Sequence, residues 1–344
     1  SPGRTGFMQV AIFGTGRIGA LHAATLAHHV DVSRLLIADT VRDRAVSLAS
    51  QLGAEAASVD EALGGHLDAV VIATPTASHA DLIRRCLDKG VPIFCEKPLT
   101  LDWQTSVEIV ELVEDSGAML QVGFQRRFDP GYRAAKKLIE DGTVGRLYTI
   151  RMAAYDPVPP HESYLPTSGG IFRDMHIHDF DILRWLTGQE VETVMALGSV
   201  QHYEMFERYD DVDTSACVAQ MTDGALAVFT GGRRNARGYD VRAEIVGHND
   251  SIAVGLDPQM PLRSVEPGMT PPEQRGYASF QERFRDAYEE EIAAFLRLCQ
   301  GKAPNICTGR DGLEALRVAL AADRSFKERR LVSVREIGAS TSID

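Results

Sequence analysis

The chain has 344 residues, with 36 basic and 48 acidic side chains for a net charge of −12, and 44% of its residues are hydrophobic. At roughly 150 residues per domain this length suggests two domains and excludes a small staple-dependent module, and the composition excludes wholesale disorder. The acidic balance repels phosphates and anionic lipid, so neither nucleic acid nor membrane is an expected partner.

Residues 1–7, SPGRTGF, read as a tag remnant or loose extension ahead of Met8. From Met8, short β-branched runs alternate with amphipathic stretches, the pattern of a parallel sheet wrapped by helices. Strands are expected at 9–13, 34–38, 68–73, 92–95 and 119–122. Helices are expected at 18–29, 42–52, 77–89 and 103–116, the last with Asp102 as N-cap. This half reads as a doubly wound α/β domain over residues 8–126. After a helix at 130–141 the pattern turns to long strands joined by hairpin signals, 216–230 broken at Asp223-Gly224 and 240–256 broken at Asn249-Asp250. Successive strands without intervening helices predict a large, mainly antiparallel open sheet in an α+β domain over 127–335. Helices at 284–298 and 311–327 close it, and Pro157–Pro160 with Pro166 mark an ordered loop inside it.

Five cysteines, at 86, 95, 217, 299 and 307, are an odd number without a C-x-x-C pair. They read as reduced, mostly buried thiols rather than a disulfide framework or zinc knuckle. No apolar run approaches the roughly 18 residues that span a bilayer, and the start lacks a signal-peptide pattern, so the expected location is cytoplasmic.

Gly14-Thr15-Gly16-Arg17-Ile18-Gly19 follows the first strand and opens the first helix, the context in which G-x-G-x-x-G binds a dinucleotide. Gly14 permits the tight turn, Gly16 admits a pyrophosphate to the backbone, Gly19 allows close helix packing, and the helix N-terminus supplies amides and a favourable dipole. Asp39 closes the second strand 20 residues after Gly19, where a carboxylate accepts from both ribose hydroxyls of NAD and repels a 2′-phosphate. Thr40 adjoins it. Arg42 lies within reach of such a phosphate and favours NADP, but Asp39 puts NAD ahead of NADP. Thr74 and Pro75 follow a strand end and are expected to line the cofactor, whereas His79 either belongs to the next helix's first turn or touches nicotinamide.

Glu96-Lys97-Pro98 ends the strand at 92–95, and Lys97 is there either a solvated charge or a positioned ammonium beside a proline that constrains it. Further on, Gly169-Gly170 lead into a helical pattern. At about 100° per residue, Asp174, His178 and Asp181 fall within one wedge. A carboxylate one turn before a histidine orients its ring and suits a general base working near neutral pH. An exposed polar helix face is the plainer alternative. No metal is expected on His176 and His178, because on a helix their side chains point about 200° apart.

Together with Gly123–Phe128 and Gly238-Tyr239-Asp240 before Ala243–Gly247, these elements resemble the glucose-fructose oxidoreductase and inositol dehydrogenase family (Gfo/Idh/MocA) from Met8 to about Val334, and within it the inositol dehydrogenase branch. The resemblance implies an N-terminal Rossmann domain and a sheet-bearing C-terminal domain. The subunits would form a homo-oligomer, a tetramer or a dimer. It implies an NAD-dependent oxidation of a secondary hydroxyl of a cyclic polyol or sugar to a ketone. Lys97 would polarise the hydroxyl, His178 would take its proton, and Asp174 would contact substrate and support the pair. Arg127, Tyr155 and Tyr239 would contact substrate, and the cofactor would also meet Glu96 and Lys97. Residues 155–161 depart from the expected loop, which leaves open another inositol, a pyranose, a cofactor-recycling glycosidase or a nucleotide-sensing regulator.

Overall fold

The computed structural model describes residues 7–339; residues 1–6 of the expected extension lie outside the described residues. In chain order the first elements are β1 (Met8–Phe13), α1 (Arg17–His28), β2 (Val32–Ala38), α2 (Arg42–Leu52), β3 (Glu55–Ala56) and α3 (Val59–Gly64). They continue as β4 (Ala69–Ile72), α4 (His79–Asp88), β5 (Ile93–Glu96), α5 (Trp103–Ser116) and β6 (Leu120–Gly123). Next come α6 (Pro130–Glu140), β7 (Leu147–Tyr155), α7 (Leu165–Ser168), α8 (Ile177–Thr187), β8 (Val191–Ser199), β9 (Thr214–Met221) and β10 (Leu226–Gly232). The chain closes with β11 (Asp240–Gly247), β12 (Ser251–Val254), α9 (Phe280–Arg283), α10 (Arg285–Cys299), α11 (Gly309–Glu328) and β13 (Val332–Ser333).

Two compact units result, one from the chain up to Gln125 with Asp286–Leu313, the other from Arg126–Arg285 with the chain from Glu314. In the first, six parallel strands run in the order β3-β2-β1-β4-β5-β6, so strand order reverses beside β1, where the glycine motif emerges. Two of its helices begin where a side chain satisfies a free amide. Asp102 accepts from Thr105 N at 2.8 Å, and Ser58 and Glu61 form a capping box at α3. The expectation of a single domain crossing near residue 126 did not include the return of α10. Its Ile292, Phe295 and Leu296 are fully buried in the first unit's core with Val10, Ile12, Val71 and Phe94.

The second unit carries a seven-stranded sheet in the order β12-β11-β7-β10-β9-β8-β13. Its hairpins turn at the expected Asp223-Gly224 and Asn249-Asp250. The sheet is mixed, because β7 and β10 pair in parallel, Leu226 opposite Thr149 through Gly232 opposite Tyr155. Alternation of burial along β9 and most of β10 puts one face into the core and leaves Val218, Leu226 and Val228 exposed on the other, with Leu197 of β8 also exposed. No helix among the described residues is long and apolar enough to cross a membrane.

Candidate active site

The three glycines of the first turn play different physical roles. Gly14 has φ +98°, and a Cβ there would sit 2.4 Å from the carbonyl oxygen of Ala73. A Cβ on Gly19 would meet the Gly14 carbonyl oxygen at 2.1 Å, so only glycine lets α1 approach the turn this closely. At Gly16 a Cβ would meet nothing within 4 Å, leaving open space above the amides of the helix start, as a pyrophosphate needs. Arg17 is exposed and Ile18 half-buried in the first turn of α1.

Thr15 donates to Asp39 Oδ2 through its amide at 2.9 Å and its hydroxyl at 2.7 Å, and Val41 N donates to Oδ1 at 2.8 Å. Burial pushes the Asp39 carboxyl up, but these hydrogen bonds and Arg44 outweigh it and hold the group below its ordinary range. An ionised carboxylate at the end of β2 fits a ribose diol. Thr40 is exposed beside it, and Arg42 leans toward Glu61 at 3.5 Å. The residues present therefore fit NAD.

Thr74 is half-buried and Pro75 exposed at the end of β4. His79 is 1% exposed; its Nδ1 lies 2.9 Å from the carbonyl oxygen of Pro98 and its Nε2 2.9 Å from that of Thr74. Burial pushes its pKa down, and the two carbonyls, which can only accept, oppose that shift from either side of the ring. Of the two readings, the structure favours His79 as part of the first turn of α4, with both ring nitrogens facing backbone carbonyls. Lys97 is half-buried, and the Lys97-Pro98 bond is cis. The Glu96 carboxylate is likewise turned away from a cofactor-facing role, toward His22 at 2.6 Å.

In the second unit, Gly169 and Gly170 adopt φ +83° and +87°, and residues 172–176 form a π turn before α8. Across that wider turn a uniform 100° phase no longer holds. Asp174 and His178 are both half-buried, but Asp181 does not share their environment. It is 1% exposed and takes two hydrogen bonds from Arg127, at 2.9 and 2.7 Å. This corrects two expectations, Asp181 as a third site-facing group and Arg127 as a substrate donor, since the guanidinium fork is engaged and 3% exposed. His176 is fully buried with Nδ1 2.8 Å from Asp179 and Nε2 2.8 Å from Ser215 Oγ, and so serves the core.

Asp174 Oδ1 accepts from the Tyr164 hydroxyl at 2.7 Å, and its Oδ2 from Arg233 Nη2 at 2.9 Å. Desolvation of the phenol and the adjacent carboxylate push Tyr164 well above its ordinary range, so it stays a donor. Arg233, 4% exposed, also donates to Asp156 at 3.1 Å. Sequence reading missed Tyr164, Arg233 and Asp156; the one local signal is Gly231-Gly232 before Arg233. A Cβ on Gly231 would press His176 Cε1 at 2.7 Å, and one on Gly232 the Tyr155 ring at 3.0 Å. Tyr155 is half-buried at the end of β7. Tyr239 is 8% exposed with its ring edge-on to Phe284 at 6.3 Å, and burial pushes its phenol up. It is a packed sheet aromatic rather than the expected open donor.

Residues 8–124 match an oxidoreductase family model with an NAD-binding Rossmann fold, and residues 132–253 match the GFO/IDH/MocA C-terminal domain. The chain is 37% identical to the inositol 2-dehydrogenase of Rhizobium meliloti over 332 residues, covering 95% of this chain and 99% of the relative. It is 36% identical to the myo-inositol 2-dehydrogenase of Thermotoga maritima, covering 96% and 99%. A crystal structure of scyllo-inositol dehydrogenase from Lactobacillus casei with bound NAD(H) and scyllo-inositol superposes with a TM-score of 0.87 at 30% identity, covering 96% and 99%. The chain belongs to the Gfo/Idh/MocA oxidoreductase family and carries its NAD-binding Rossmann domain.

Proposed function

We propose that the protein is an NAD-dependent inositol dehydrogenase that oxidises a secondary ring hydroxyl to a ketone. The observation that carries this reading is full-length similarity to inositol 2-dehydrogenases, combined with a glycine turn whose single open position, Gly16, lies beside a carboxylate kept ionised at the end of β2.

When bound, NAD supplies the hydride acceptor, and the chain's own residues handle the proton and the orientation. Lys97 donates a hydrogen bond to the substrate oxygen and favours its developing negative charge. His178 accepts the hydroxyl proton. Asp174 is held by Arg233 at one oxygen and by Tyr164 at the other, so it can hold a neighbouring ring hydroxyl in one place. Tyr155 is a further substrate contact in this reading. The exposed apolar row Leu197, Val218, Leu226 and Val228 supports a homotetramer assembled through the outer sheet face. The free cysteines, four of them buried, support a reducing, cytoplasmic location.

The test is absorbance of reduced nicotinamide with NAD or NADP across inositol isomers, pyranoses and glycosides. Reduction with an inositol is expected, and Lys97→Ala and His178→Ala should each lower turnover by about a hundredfold while NAD still binds. Silence on every inositol, with NAD binding intact, would overturn the reading.

A further inference from the structure

A cluster of three ionisable side chains in the first unit has no part in the chemistry described so far. His22 lies on α1, fully buried, with its ring edge-on to Phe94 at 5.3 Å and to Tyr288 at 6.0 Å. Its Nε2 is 2.6 Å from Glu96 Oε1 and 3.8 Å from Glu291 Oε1. Glu291 comes from α10, is 0% exposed, and meets no hydrogen-bond partner at either carboxyl oxygen. The other Glu96 oxygen lies over Gly123, where a Cβ would come within 2.8 Å of it.

An isolated carboxylate buried this completely is costly, so the group is kept neutral. Burial first, then the nearby Glu96, hold the Glu291 carboxyl well above its ordinary range, which makes it a proton carrier with one O–H to give. The proton on His22 Nε2 faces Glu96, and that leaves Nδ1 as a bare acceptor, matching the absence of a donor beside it. The three ligand atoms lie within 4.8 Å of one another, a spacing open to a metal ion. The 2.6 Å contact argues for a hydrogen bond instead, because two ligands of a tetrahedral ion at about 2 Å stand about 3.3 Å apart.

What the cluster grips is the side chain of the residue before Lys97. Glu96 precedes it and is held by His22; Pro98 follows it, and its carbonyl is held by His79 from α4. Two buried histidines from different helices thus bracket the lysine. We propose that His22 and Glu291 are positioning residues of the dehydrogenase: His22 grips the Glu96 side chain directly, and Glu291, 3.8 Å from the same nitrogen, keeps a donor rather than a charge beside that grip, so that the Glu96-Lys97 segment at the end of β5 keeps one conformation. This rests on the role given to Lys97 above.

The experiment compares wild type, Glu291→Leu and Glu291→Gln as full-length protein with NAD. Leucine fills similar volume without a proton. Replacing a buried polar group with a well-packed apolar one often leaves stability unchanged or raises it, so Tm should hold. Turnover on inositol should nonetheless fall about tenfold to a hundredfold, as small misplacements of catalytic groups do, with KM for inositol and affinity for NAD nearly unchanged. Glutamine, which keeps an uncharged donor at that place, should recover most of that loss. Wild-type turnover in the leucine variant would overturn the proposal, and so would parallel losses of turnover and Tm in both variants. An infrared difference spectrum, wild type minus Glu291→Gln, should show a protonated-carboxyl carbonyl band. It reads the Glu291 proton without any turnover, and its absence also overturns the proposal. If wild type does not oxidise any inositol, the functional reading has failed, and the infrared band still decides whether the proton is there.

Discussion

Thr15 ties the first turn of the nucleotide fold to the end of the next strand, because its amide and its hydroxyl both donate to the same oxygen of Asp39. The carboxylate that would read the ribose is therefore oriented before any ligand arrives, and its remaining capacity points from a fixed place. Asp39→Ala removes both the acceptor and the negative charge that opposes a 2′-phosphate. The expected result is a drop in affinity for NAD and a shift of the NAD:NADP ratio of kcat/KM toward NADP. An unchanged ratio would show that Asp39 does not set the preference.

Gly16 separates folding from binding in a way its two neighbours cannot. It has φ −66°, which any residue can adopt, and a Cβ there meets nothing within 4 Å. Gly16→Ala is thus expected to melt close to wild type while binding NAD more weakly, since the methyl group occupies the space a pyrophosphate would take. Gly19→Ala should instead lose stability, its Cβ being driven into the Gly14 carbonyl. Calorimetry of NAD binding alongside thermal melts checks both. Tight NAD binding by Gly16→Ala would count against this turn as the pyrophosphate site.

Much of this was legible along the chain because the signals are local. The glycine spacing, the Asp102 cap and the Asp223-Gly224 turn each depend on a few consecutive residues, and each stands where it was expected. The features that stayed hidden depend on contacts between distant residues. Nothing near residue 22 announces that His22 will meet Glu96 and Glu291, and nothing near Asp174 announces Arg233. The parallel pairing of β7 with β10 is equally nonlocal, since alternation predicts a strand but not its neighbour. The one local misreading was periodicity. A π turn at 172–176 interrupts the phase on which Asp181 was aligned with Asp174, and Asp181 went to the core with Arg127.

The buried pair Arg126 and Asp179 gives a pH-dependent prediction. Both are nearly inaccessible, 2.5 Å apart, and Asp179 also faces His176 at 2.8 Å. Burial pushes Asp179 up, but Arg126 and His176 outweigh it and hold the carboxyl below its ordinary range. A lowered folded-state value contributes stability above the unfolded value of about 3.9 and loses it as pH falls through the folded value. Arg126→Met leaves a buried charge without its partner and is expected to cost about 3–5 kcal/mol near neutrality. That deficit should shrink as the pH drops below about 4, because the wild type then loses the same interaction. Urea unfolding across this range tests it, and an equal deficit at every pH would show that the pair contributes nothing through charge.

Asp174 is held by two donors of different strength, and the difference predicts a graded loss of function. Tyr164→Phe removes one donor to Asp174 while Arg233 still fixes the other oxygen. The expected result is a fall of roughly tenfold to a hundredfold in kcat/KM for inositol with stability little altered, since Tyr164 is 44% exposed. Arg233→Met is a different kind of change. The guanidinium is buried and serves Asp156 and Asp174 together, so its loss takes a shared cation from two carboxylates at once. Stability should fall by about 3–5 kcal/mol, and turnover should suffer more than in the tyrosine variant. Arg233→Lys keeps the charge but not the fork that reaches both partners, and should lie between the two. Steady-state kinetics and denaturant melts on the three variants decide the order. If Tyr164→Phe proved as damaging to turnover as Arg233→Met, the tyrosine would be acting on the substrate itself rather than through Asp174.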